Sequence, residues 1–128
     1  MAIYGIGIDL VEVERVVAAM EKHGDVWLKK IFTEAERAYC DAQHEPAIHY
    51  AARFAAKEAV AKAFGTGIGK NAALQDLEVV NSDNGAPKML LHGDAKDFAK
   101  EQGIAHVLIS LTHTKDHAAA NAVAETSS

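Results

Sequence analysis

The sequence predicts an α+β fold, and three patterns carry that expectation. A strand of strict alternation opens the chain, a long helix framed by Pro46 and Gly65 fills its middle, and hairpin-like strand pairs with a further helix occupy the rest. Helices mixed with antiparallel hairpins, rather than alternating with parallel strands, are the mark of that class.

Residues 2–10 read as the first strand. Tyr4, Ile6, Ile8 and Leu10 fall on one face, and Ile3, Gly5, Gly7 and Asp9 on the other. The second face has almost no side chains before Asp9, so another group can lie close to the backbone there. Val13, Val16, Val17 and Met20 recur at helical spacing and predict a helix that stops near Gly24. Thr33 and Glu36 have capping-box spacing and open a short helix through Cys40. Pro46 suits the first turn of a helix running to Phe64, with Gly65 as its stop. Residues 65–75 form a glycine-rich loop, 76–81 a strand, 82–87 a turn, 88–91 the returning strand, 94–102 a helix ended by Gly103, and 105–114 an alternating strand. The alanines of 117–125 favour helix, but the turn at Lys115 and Asp116 favours a hairpin partner; a strand is expected.

With 128 residues the chain fits one domain spanning 1–128, and one this small gains by associating with copies of itself. The net charge of −5 argues against a general nucleic-acid binder. No apolar run approaches the roughly 20 residues of a membrane helix, and no signal peptide opens the chain. The single cysteine, Cys40, cannot form an internal disulfide, which points to a reducing, cytoplasmic setting. Beginning at Met1 with no linker, the chain reads as freestanding.

The segment Arg53-Phe54-Ala55-Ala56-Lys57-Glu58-Ala59 through Lys62 holds most of the chemistry. Arg53 and Lys57 share one helix face, and Glu58 and Lys62 the neighbouring one. That pattern is either a solvated face with an i,i+4 ion pair or a phosphate site in which Glu58 helps to hold a divalent cation. Asp9, at the end of a strand with two glycines, is either the cap of the next helix or a cation ligand; with Glu58 it would supply two hard oxygens suited to Mg²⁺. Gly5-Ile6-Gly7 lacks the third glycine and the position of a dinucleotide fingerprint, and Gly65-Thr66-Gly67-Ile68-Gly69-Lys70 fails as a P-loop on spacing and context. Cys40 has no base beside it in sequence, and no nucleophile elbow is present. His113 falls on the strand face of Ile109 and Leu111.

Three stretches together resemble the small holo-acyl-carrier-protein synthases of the 4′-phosphopantetheinyl transferases. They are Gly5-Ile6-Gly7-Ile8-Asp9-Leu10-Val11-Glu12, then Arg53 to Glu58 continuing through Lys62-Ala63-Phe64-Gly65-Thr66-Gly67, and Ser110-Leu111-Thr112-His113-Thr114. Order and separation fit from Ile3 to Glu125, although Gly85-Ala86-Pro87 lacks a frequent middle lysine and Thr112 replaces a frequent serine.

The resemblance implies a long helix packed on an antiparallel sheet and a homotrimer with active sites between subunits. It implies transfer of the phosphopantetheine arm of coenzyme A to a serine of an acidic acyl carrier protein, releasing adenosine 3′,5′-bisphosphate and supporting fatty-acid biosynthesis. Asp9 and Glu58 match the family's magnesium ligands, and Lys62 a contact to the transferred phosphate. Arg53, His113 and, less directly, Lys57 match positions at the coenzyme A site, which Gly65, Ser110 and Thr112 border. Glu58 is also the candidate base, directly or through a metal-bound water. Arg15, with Lys22 nearby, lies on the first helix, where the family docks its carrier; its alternative is an exposed residue pairing with Glu12.

Overall fold

The computed structural model describes residues 1–127. Its elements run β1 (Ala2–Glu12), α1 (Val13–Ile31), α2 (Glu34–Asp41), α3 (Pro46–Phe64), β2 (Leu77–Asn81), β3 (Pro87–Leu91), α4 (Gly93–Glu101), β4 (Ile104–His113) and β5 (His117–Thr126), with a 3-10 turn at Leu74–Asp76. Strands β1, β5 and β4 make one antiparallel sheet in that order, and β2 and β3 make a separate hairpin. The long helix α3 lies across the three-stranded sheet, the α+β arrangement expected.

Glycine and alanine set how close that packing is. A Cβ on Gly5 would fall 2.0 Å from the Ala63 carbonyl oxygen, and one on Gly7 would fall 1.9 Å from that of Ala59. The helix backbone therefore rests directly on β1, where no other residue fits. Ala118, Ala120, Ala122 and Ala124 of β5 are buried in the same layer. Their helix propensity yields to pairing with strands on both sides, which a central strand provides and an isolated segment does not.

The opposite face of the sheet is open. Ile6 and Ile8 are each 70% exposed, Leu10 67% and Leu108 55%. These apolar residues alternate as a core strand should, yet no element among the described residues covers them.

Local signals hold where side chains or φ angles enforce them. Thr33 and Glu36 form a complete capping box, Pro46 sits in the first turn of α3, and Gly65 ends it at φ +80°. The first helix differs from expectation. Gly24 takes φ 58° and ψ −142°, but helix resumes and continues to Ile31. A glycine there makes a kink because Leu28 and Ile31 beyond it are buried against Val16, Phe32 and neighbouring core residues. Burial of such side chains contributes about 1.5–3 kcal/mol each. No helix among the described residues is long and apolar enough to cross a membrane.

Candidate active site

A cleft of about 410 Å³ opens where the C-terminal end of β1 meets α1 and α3, lined by Asp9, Arg15, Trp27, Phe54, Glu58 and Lys62 among others. The close β1–α3 contact places Asp9 beside the second half of the helix. Lys62 Nζ donates to the Ile8 carbonyl oxygen at 2.9 Å and to Asp9 Oδ1 at 3.1 Å. Its side chain remains half exposed, so the ammonium is tethered at one end and open at the other.

Glu58 stands in the same field. Burial, and then the charge of Asp9, push its carboxyl above the ordinary glutamate value, while Lys62 pulls it back. Two carboxylates that repel and one ammonium leave a net negative charge. Their hard oxygens are of the type that Mg²⁺ prefers, and two carboxylates would suffice for an ion that draws its other ligands from water or phosphate.

Arg15 points along the rim, paired with Glu12 at 3.4 Å, with both side chains largely in solvent. Such a pair contributes little, so Arg15 remains available to another partner. Gly65 caps α3 just beyond Lys62, its N–H donating to the Lys62 carbonyl oxygen. Ser110 and Thr112 lie elsewhere, on the open face of β4, where Ser110 Oγ donates to Asn121 Oδ1 at 2.6 Å. They line a shallow depression with Ile8, Ala119 and Asn121.

Arg53 and His113 form a third group. Arg53 is 3% exposed, its guanidinium 4.0 Å from the centroid of the Tyr39 ring, and the His113 ring meets that of His49 at 5.6 Å. Within one chain these groups do not share the cleft of Asp9, Glu58 and Lys62.

Lys57 corrects the sequence reading. It is wholly buried and donates to Glu36 Oε1 at 2.8 Å, to the Leu74 carbonyl oxygen at 2.8 Å and to that of Leu77 at 2.6 Å. Its three donors are used, and none of its surface is open to a ligand. Burial pulls its ammonium below the ordinary value, and Glu36 draws it back up. The i,i+4 spacing with Arg53 is real, but that face of α3 is covered by α2 and the segment leading into β2.

Sequence reasoning missed Trp27 and Phe54 of the cleft, and His49 and Tyr39 beside Arg53. Phe54 and His49 had a findable signal, since they lie four residues from Glu58 and Arg53 on the same helix; Trp27 had none, lying past the kink. Cys40 is buried with its thiol pushed up to about 12, chiefly by that burial, which leaves it inert.

Residues 5–122 match the model of the 4′-phosphopantetheinyl transferase superfamily. The holo-[acyl-carrier-protein] synthase of Moorella thermoacetica is 43% identical over 121 residues, covering 94% of this chain and 93% of that protein. The synthase of Ruminiclostridium cellulolyticum is 45% identical over 119 residues, covering 92% and 89%. Among solved structures, the Neisseria meningitidis synthase superposes with a TM-score of 0.91 at 34% identity, covering 97% of this chain and 99% of that one. A Bacillus anthracis synthase in complex with coenzyme A (3′,5′-ADP) gives 0.80 at 37% identity, covering 99% and 100%.

Proposed function

The chain belongs to the 4′-phosphopantetheinyl transferase superfamily, among its holo-acyl-carrier-protein synthases, and on that premise we propose the reaction and the residues that perform it. It transfers the 4′-phosphopantetheine arm of coenzyme A to a serine of an apo acyl carrier protein. The serine oxygen forms a bond to the phosphorus that bears the arm, the pyrophosphate P–O bond breaks, and adenosine 3′,5′-bisphosphate leaves. The observation that carries this reading is the single cleft that unites Asp9, Glu58 and Lys62.

Lys62 is the cation for the transferred phosphoryl group, already oriented by Ile8 and Asp9. Glu58 takes the serine proton, directly or through a water. Asp9 and Glu58 would hold Mg²⁺, which when bound neutralises charge on the pyrophosphate and the departing oxygens. Arg15, at the rim, contacts the acidic carrier.

The active form is a homotrimer, with sites between subunits. Two observations support this: the apolar sheet face at Ile6, Ile8, Leu10 and Leu108 has no cover among the described residues, and Arg53 and His113 lie apart from the cleft they are to serve. A second copy on that face would cover the first and supply the second, bringing Ser110, Thr112 and Gly65 to the ligand's border. Residues 1–128 act as a single domain, in the cytoplasm, serving fatty-acid biosynthesis.

The test is incubation with apo acyl carrier protein, coenzyme A and Mg²⁺, read by the carrier's intact mass with and without EDTA. A gain of one phosphopantetheine arm that EDTA abolishes is expected. Coenzyme A binding without transfer to any of several carriers would make the chain a binding module instead.

A further inference from the structure

Tyr39 of α2, His49 and Arg53 of α3 and His113 of β4 form a stacked cluster outside the cleft. His49 and Arg53 are one turn apart on the same helix face. The His49 ring meets Tyr39 edge-on at 6.0 Å and His113 edge-on at 5.6 Å. Tyr39 thus faces His49 from α2, His113 faces it from β4, and Arg53 is its charged neighbour on α3.

The balance of charge here is one-sided. Burial, then His113, then Arg53 hold the His49 imidazole below its ordinary value of 6.5, and no carboxylate of the described residues is among the groups that act on it. Arg53 is almost wholly buried, and its Nε has no hydrogen-bond partner among the described residues. Burying a guanidinium with an unmet donor is costly unless an anion completes the site. A phenylalanine at position 49 would pack against both neighbouring rings as well; what an imidazole adds is an N–H donor and a nitrogen that can bind a proton.

We infer that His49 is the third arm of an anion subsite with Arg53 and His113, and that it takes a proton from solvent when a phosphate group of the ligand enters. The inference rests on the reading that this chain binds coenzyme A, and adds the residue that makes that binding depend on pH. A phosphate beside the ring favours imidazolium over imidazole. The His49 contribution to affinity therefore falls as pH rises from mildly acidic to mildly alkaline, and this ring takes up protons on binding near neutrality.

The experiment is calorimetric titration of the full chain with coenzyme A, in buffers of unlike ionisation enthalpy, for wild type, His49→Phe and His49→Gln. Phenylalanine preserves the ring packing, and glutamine serves if the larger apolar ring disturbs it. The ligand's own phosphate titrates near pH 6 in every titration, so the difference between wild type and variants reads what depends on His49. Wild type should bind about tenfold tighter than either variant at about pH 6, and within about twofold at about pH 8.5. It should also take up more protons on binding.

Parallel pH profiles for all three proteins would overturn the inference and leave the transferase reading intact. Absence of coenzyme A binding by wild type at every pH would overturn that reading, and the inference with it. Repeating the series with 3′-dephospho-coenzyme A separates the sources of the anion. A His49-dependent slope that vanishes assigns the subsite to the 3′-phosphate, and one that persists assigns it to the pyrophosphate; both sustain it.

Discussion

Two lysine–carboxylate pairs flank α3, five residues apart on the same helix. On the covered side, Lys57 and Glu36 meet at 2.8 Å with neither side chain exposed. Glu36 also accepts from the backbone N–H of Thr33 at 2.9 Å and of Val79 at 2.8 Å, so that pair ties α2 and β2 to the helix. On the open side, Lys62 and Asp9 meet at 3.1 Å with Lys62 half exposed, and the site has donors and acceptors left over. The covered pair is complete, so it can only hold the fold. The open pair is incomplete, so it can meet a ligand. What separates the two lysines here is the number of partners already supplied, not the sequence around them.

Removing the covered lysine has the largest expected effect. Lys57→Met strands the Glu36 charge in the core and should cost about 3–5 kcal/mol of unfolding free energy, read from urea titrations. Lys57→Met with Glu36→Leu should recover a large part of that loss; a single variant as stable as wild type would refute the structural role.

Next in size is Asp9→Asn, which keeps the shape of the open site but removes its charge. Transfer to the carrier should fall about a hundredfold or more, while the urea midpoint stays near that of wild type. A parallel loss of stability would mean that the open pair also holds the fold.

The smallest effect sharpens the covered side. Burial alone would raise the Glu78 carboxyl, but hydrogen bonds from Thr33 and His92, with the His92 and Lys57 charges, more than offset it and hold it below its ordinary 4.5. A depressed carboxyl contributes stability that is present above its unfolded value and is lost as pH falls through the folded one. Glu78→Gln should cost about 1 kcal/mol or less near pH 6. That cost should shrink toward pH 3, seen as converging urea midpoints.

Much of this was legible in the sequence. Pro46 and Gly65 bound α3, Thr33 and Glu36 start α2, and Gly5 and Gly7 announce a close neighbour, because each signal acts through local backbone geometry. Asp9, Glu58 and Lys62 were expected together and share one cleft. Lys57 was misassigned because helical spacing fixes which residues share a face but not what covers it; Glu36 lies 21 residues away. Gly24 misled because a positive φ interrupts a helix without deciding whether the chain resumes it, and buried Leu28 and Ile31 decide that. The grouping of Arg53 with His49 and His113 depends on β4 reaching α3, a contact between distant parts of the chain that no local pattern encodes.

The bare contact between β1 and α3 has a consequence for how the site responds to heat. Because the carbonyl oxygens of Ala59 and Ala63 rest against Gly5 and Gly7, the spacing between Asp9 and the Glu58–Lys62 turn is set by main chain, not by side-chain rotamers. Warming multiplies rotamers well before it separates a helix from its strand. The cleft is therefore expected to keep its dimensions until that layer gives way, so that catalysis and fold would be lost in one transition.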